Sequence, residues 1–153
     1  MIVFRLCKSM FKDDLSGRGA EISGGRWNSR GIPMLYSAEN RALCTAEIAV
    51  HTPLGIIPED YMLLSIYIPD TLNILEYKAE DLPDDWRLFP HPPSTKKLGD
   101  LFVREQHAVI MRVPSAIVGG EANILVNPRH PDASQIRLES VEPFVFDKRL
   151  FVR

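Results

Sequence analysis

The chain has 153 residues, 45% hydrophobic and 25% charged, with 18 Lys and Arg against 20 Asp and Glu for a net charge of −2. That balance fits one ordinary folded domain spanning residues 1–153 and excludes a disordered tail, a collagen-like fibre or a coiled coil. Without a basic face, the chain is a poor nucleic-acid binder on its own. No apolar run approaches the roughly 18–20 residues of a membrane span, and Met1–Lys8 does not read as a signal peptide. The expected setting is therefore the cytoplasm, without membrane contact. There Cys7 and Cys44, too far apart in sequence for a zinc pattern, are expected as buried free thiols.

In chain order, Ile2–Leu6 is apolar and β-prone, a first strand. Residues 8–25 are polar and glycine-rich and read as a long loop. Arg26-Trp27-Asn28 and the turn Ser29-Arg30-Gly31-Ile32-Pro33 lead into a strand over Met34–Ala38, so residues 25–38 suggest a hairpin. Ser37 is positioned to cap a helix that starts near Ala38 or Glu39. Its apolar positions Ala42, Leu43, Ala46, Ala49 and Val50 run to His51, before the stop at Thr52-Pro53.

Tyr61–Ile68 is a strong strand and Leu72–Tyr77 a weaker one. Residues 81–93 form a proline-rich loop. Ser94 is placed to cap a second helix, with Leu98, Leu101 and Phe102 on one face. Ala108–Val113 is a strand, residues 123–131 read as turn-rich, and Ile136–Val141 with Pro143–Phe146 completes the set. Two clear helices are too few to cross between parallel strands, so the class is α+β with mostly antiparallel strands.

Glu47 stands four residues after Leu43 and three before Val50, beside the apolar stripe of its helix. A carboxylate there faces a cleft, or serves as one half of an ion pair. Arg26 follows Gly24-Gly25, where backbone N–H groups and a guanidinium fork suit an anion; the plainer reading is a turn and a surface arginine. Tyr36 in a strand is a packing residue or a stacking platform for a flat heterocycle. Ser115 lacks a nucleophile elbow and reads as a turn residue bonding the local backbone. His51, His91, His107 and His130 form no metal-binding pattern, so no metal is expected.

Taken in order, these residues resemble the RES domain family. One block is Gly24-Gly25-Arg26-Trp27-Asn28, Gly31-x-Pro33-x-Leu35-Tyr36-x-Ala38 and Ala46-Glu47. The other is Pro114-Ser115-x-x-Val118 with Glu121-x-Asn123-x-Leu125-x-Asn127-Pro128-x-His130-Pro131. The likeness runs from Phe4 to Arg149 and departs at Gly119, where a proline is usual. The resemblance implies a fold similar to ADP-ribosyltransferases: a split antiparallel β-core, a few flanking helices and NAD in the cleft between sheets. It implies a toxin that breaks the nicotinamide–ribose bond of NAD by hydrolysis or phosphorolysis and arrests growth, with NAD as substrate and no prosthetic group.

The site residues it implies are Arg26, Tyr36, Glu47 and Ser115 as catalytic, with Arg5, Gly25, Asn28, Asn123 and Asn127 binding NAD. The implied partner is an Xre-like helix-turn-helix antitoxin that would read the promoter, in a complex containing a toxin dimer. Transfer of ADP-ribose to a metabolic protein is the alternative. Thr45, where many such transferases carry Glu or Gln two residues before the glutamate, favours a small acceptor. A binding module without turnover and a ribonuclease are the remaining readings. The first conflicts with retention of Arg26, Tyr36, Glu47 and Ser115 together; the second conflicts with the acidic balance.

Overall fold

Seven strands join in one sheet in the order β4-β5-β6-β2-β1-β3-β7. They are β1 (Ile2–Lys8), β2 (Leu35–Ala38), β3 (Tyr61–Tyr67), β4 (Ile74–Glu76), β5 (Ile110–Pro114), β6 (Ala122–Val126) and β7 (Arg137–Phe144). The helices are α1 (Arg18–Ser23), α2 (Arg41–His51) and α3 (Pro93–Glu105). The structure is a computed structural model that describes residues 1–152. Neighbouring strands are antiparallel except β4 and β5, which run parallel.

Burial explains the order. In β3, Leu63, Leu64, Ser65 and Ile66 are all buried, the continuous pattern of a strand covered on both faces. The edges are protected differently. β4 has only three residues, and β7 carries Arg137, Glu139, Glu142 and Pro143, which discourage further pairing.

The sheet has a waist. β1 pairs with β3 along seven residues but with β2 only at Phe4–Ala38. Arg5 reinforces the junction, its Nη1 donating to the Tyr36 carbonyl at 2.8 Å. The expected pair of sheets is thus corrected to one hydrogen-bonded series that narrows to a single residue pair.

Other expectations change for local reasons. Residues 123–131, whose asparagines and prolines suggest turns, open with most of β6, which lies between β5 and β2. Ile124, Leu125 and Val126 are buried there, and that outweighs the flanking asparagines. The 25–38 hairpin does not form: Gly25 and Asn28 make one isolated bridge, and β2 pairs instead with β6 and β1. The 8–25 loop contains a short 3-10 turn and α1.

β2 continues through Ala38, so Ser37 stays in the sheet and donates to the Ile124 carbonyl at 2.6 Å. Asn40 caps α2 instead, accepting from the Leu43 amide at 2.8 Å. Ser94 lies inside the first turn of α3, which opens on Pro93; its hydroxyl donates to Asp85 at 2.6 Å. Leu98 is partly buried and Phe102 buried, whereas Leu101 is exposed.

α2 and α3 cover the same face of the sheet. Leu43 and Cys44 of α2 pack on Leu6, Ala38 and Leu63. Phe102 and Val103 of α3 pack on Met111, Val113 and Leu125. Alternation places Tyr36 with Ala38 on this face of β2, and Asn123 with Leu125 on this face of β6. Tyr36 and Asn123 therefore interrupt the apolar cover between the two helices. The opposite face holds Val3, Leu64, Ile66, Ile110 and Ile124 under loop segments. Cys7 and Cys44 are buried and unpaired, and burial pushes the Cys44 thiol up to about 12.

Candidate active site

Glu47 projects from the half-buried side of α2 towards β6. Its Oε1 accepts a hydrogen bond from Asn123 Nδ2 at 2.7 Å. The amide carries no charge, so it fixes the carboxylate without neutralising it. Arg26 lies within electrostatic reach of both Glu47 and Tyr36. Burial draws its guanidinium below the ordinary arginine value, and the nearby Glu47 carboxylate opposes that shift.

Arg26 is also a clamp. Its Nη1 donates to the Trp86 carbonyl at 2.5 Å and to the Leu88 carbonyl at 2.9 Å. One nitrogen thus holds the 86–88 loop, while Nε and Nη2 have no hydrogen-bond partner among the described residues. That leaves one edge of a planar fork for an anion.

Tyr36 is held by its hydroxyl, which donates to Asn28 Oδ1 at 2.7 Å and accepts from the Trp27 amide at 3.0 Å. Burial raises the phenol far above its ordinary value, offset in part by the Trp27 amide and Arg26. Tyr36 is therefore a neutral phenol at physiological pH. Gly25 makes this arrangement possible: a Cβ there would lie 2.6 Å from the Tyr36 hydroxyl and 3.0 Å from Asn28 Oδ1.

Several of the residues expected to bind NAD or act on it make hydrogen bonds within the chain. Asn28 is fully buried, and its Nδ2 donates to the carbonyls of Ala20 and Ile32. Together with Gly25 it forms the support beneath Tyr36. Asn127 is also fully buried, donating to the Val103 carbonyl and accepting from the Arg129 amide. Ser115 sits in the turn between β5 and β6, where its Oγ accepts from the amides of Ile117 and Val118 at 3.2 and 3.1 Å. The side chain that orients Glu47 is Asn123, not Ser115. Arg5 reaches the backbone of Tyr36 rather than its ring, and the ionisable groups near it are Cys7, Asp14 and Cys44 rather than Arg26 or Glu47.

The structure brings in residues that the motifs did not mark. His51 lies one helical turn after Glu47 and packs edge-on against His91, with ring centroids 6.2 Å apart. His91 in turn meets Phe89 edge-on at 5.4 Å. The Glu47–His51 spacing of four residues was a legible signal; the position of His91 was not. Two surface concavities lie elsewhere. One of 370 Å³, lined by Leu15, Leu35, Val126 and Ile136, opens on the opposite face, and one of 270 Å³ lies beside Lys97 and Asp100. Neither includes Glu47, and convergent polar chemistry is a better guide to the site than volume. No three metal-ligating side chains cluster among the described residues, and no helix among them is long and apolar enough to cross a membrane.

Burial, and after it Arg26, His51 and Lys96, lower His91 from 6.5 to about 4. A ring-proton titration is expected to give that midpoint. The unfolded chain protonates near 6.5 and the folded chain resists. Stability that is full above that value is therefore lost progressively as pH falls to about 4. Arg26→Gln should raise the midpoint only in part, because burial is the larger cause. A midpoint near 6.5 in the folded protein would contradict this environment.

Fold and site together define an α+β protein with one seven-stranded sheet, on one face of which Tyr36, Glu47 and Asn123 place polar groups between two helices. The chain belongs to the RES domain family, which it matches over residues 2–147. A Prs ADP-ribosylating toxin from Sphingobium sp. (strain YBL2) is 38% identical over 140 residues, covering 90% of this chain and 87% of the relative. A protein named Toxin Res from Pseudomonas putida is 39% identical over 142 residues, covering 90% and 93% respectively. Among solved structures, the M. tuberculosis MbcT–MbcA toxin–antitoxin complex contains a similar fold. The TM-score is 0.71 at 23% identity, over 94% of this chain and 84% of that one.

Proposed function

We propose that this chain is the toxin of a toxin–antitoxin pair and that it cleaves the nicotinamide–ribose bond of NAD. The observation that carries the reading is Glu47, a carboxylate held by the Asn123 amide at 2.7 Å within electrostatic reach of Arg26. In NAD the nicotinamide is a cationic leaving group. When the C1′–N bond breaks, the electron pair goes to the ring nitrogen and nicotinamide departs neutral. No general acid is needed, unlike ordinary glycoside cleavage.

The ribose left behind develops oxocarbenium character. Glu47 stabilises that positive charge and bonds a ribose hydroxyl, while Asn123 keeps the carboxylate in place before the charge appears. The open edge of Arg26 takes the pyrophosphate. Tyr36, with its hydroxyl already engaged, offers a ring beside the nicotinamide ribose. A water or phosphate oxygen then bonds to C1′, and water releases a proton.

Transfer to a protein is the second reading, favoured by the name of the Sphingobium relative. Against it, Thr45 directs its hydroxyl to the Arg41 carbonyl at 3.0 Å, so no acceptor-directing acid or amide stands two residues before Glu47. The partner in this reading is an Xre-like antitoxin that recognises the promoter and blocks the site, in a complex that contains a toxin dimer. Induced expression should lower the cellular NAD pool as growth stops, and co-expression of the neighbouring antitoxin gene should restore both. Growth arrest with an undiminished pool would overturn NAD depletion. With purified protein, free ADP-ribose, a phosphorylated ADP-ribose or a modified protein identifies the acceptor.

Arg26→Lys should fail despite keeping its charge. An ammonium cannot hold two carbonyls and a phosphate in one plane. We expect kcat/KM for NAD to fall at least tenfold and the amides of residues 84–92 to exchange faster. Unchanged kinetics and exchange would remove Arg26 from the site.

A further inference from the structure

We propose that Phe89 and His91 form the wall on which the adenine ring of NAD stacks, so that the loop clamped by Arg26 sets recognition of the base. The inference rests on the NAD reading of the site and adds the part of the substrate farthest from the broken bond.

Phe89 is 74% exposed, and its one ring neighbour among the described residues is His91, edge-on at 5.4 Å. Leaving most of a phenyl ring in water forfeits burial that such a ring normally gains. The loop that carries it is nonetheless well anchored. Trp86 and Leu82 are buried, Asp85 accepts from Ser94 at 2.6 Å, and Arg26 holds the carbonyls of Trp86 and Leu88. An exposed aromatic on a fastened loop is preorganised for stacking at little ordering cost.

The order of groups gives the occupant. Arg26 is near Glu47 and Tyr36, and it also clamps, through the carbonyls of Trp86 and Leu88, the loop that leads to Phe89 and His91. From His91 the aromatic path continues to Phe89. The sequence carboxylate, guanidinium, aromatic pair reproduces nicotinamide ribose, pyrophosphate, adenosine. Nicotinamide is bonded to the carbon that Glu47 addresses, so it belongs near Tyr36. From Glu47, Phe89 lies beyond a helical turn to His51 and the 6.2 and 5.4 Å ring contacts, in the region where adenosine would lie. The low affinity of His91 for protons keeps its ring neutral beside Arg26, which leaves a π face rather than a second cation.

The test uses the Glu47→Gln chain, whose slowed cleavage lets binding be read before turnover, with NAD, ADP-ribose and nicotinamide mononucleotide titrated separately by calorimetry. Adding Phe89→Ala should weaken NAD and ADP-ribose on the order of 10-fold, the usual effect of losing one base-stacking aromatic. Nicotinamide mononucleotide, which lacks adenosine, should bind as before, and Phe89→Trp should retain affinity for all three. Because Phe89 is exposed, its removal does not open the core, and the unchanged mononucleotide serves as the folding control. If Phe89→Ala binds ADP-ribose as tightly as its parent, or weakens the mononucleotide equally, the adenine wall is wrong while the NAD reading stands. If the parent binds neither NAD nor ADP-ribose, the reading of the site fails and the wall with it.

Discussion

Glu47→Gln is expected to lower NAD cleavage on the order of 10²- to 10³-fold, the cost of removing one preorganised electrostatic partner of a developing charge. The substitution isolates that charge. The glutamine carbonyl can still accept from Asn123 Nδ2, which now holds Glu47 Oε1 at 2.7 Å. α2 keeps its Asn40 cap and its buried Leu43 and Cys44, so the melting temperature should change little. Single-turnover nicotinamide release and thermal denaturation on the same preparation would check both halves. A folded variant with near-native turnover would show that the carboxylate is not the catalytic group.

Gly99→Ala should have the largest effect on stability. Gly99 lies in α3 against the backbone of Trp27, and a Cβ there would fall 1.6 Å from the Trp27 carbonyl oxygen and 2.7 Å from its carbon. Backbone cannot rotate away, so α3 or the 25–28 segment must shift. Overpacking of this kind costs about 1–3 kcal/mol or more, against roughly 1 kcal/mol of helix propensity gained by alanine. At about 2–4 °C for each net kcal/mol in a domain of this size, the melting temperature should fall measurably. Trp27 stands between Arg26 and Asn28, so NAD cleavage should fall as well. An unchanged melting temperature would mean that the close approach of α3 to Trp27 is wrong.

The sequence revealed the carboxylate better than its surroundings. Glu47 could be read as a cleft group because helical spacing puts it beside Leu43 and Val50, and α2 does present it to Asn123. Asn123 itself was obscured: Asn123, Asn127 and Pro128 look like turn chemistry, yet the apolar run between them is a strand buried in the middle of the sheet. The cap of α2 was misplaced by three residues because Ser37 satisfies a cap pattern as well as Asn40 does, and only the pairing of β2 with β6 decides between them. Gly25, Asn28 and Asn127 occur in a family signature that suggests ligand contacts, and the fold adds what the signature does not show: Gly25 and Asn28 pack against Tyr36, and Asn127 accepts from the Arg129 amide. The Arg26 clamp joins residues 60 and 62 positions apart. No local pattern encodes such a link, so the loop bearing Phe89 and His91 could not be joined to Glu47 before the fold was known.

In the proposed reaction, the site around Glu47 breaks the bond between nicotinamide and ribose. Its most direct test is to incubate the purified chain with NAD and follow nicotinamide and remaining NAD together by chromatography, with and without inorganic phosphate. Nicotinamide should appear mole for mole as NAD disappears, with ADP-ribose or its phosphorylated form as the other product. Intact NAD after prolonged incubation with folded protein, in both conditions, would contradict it.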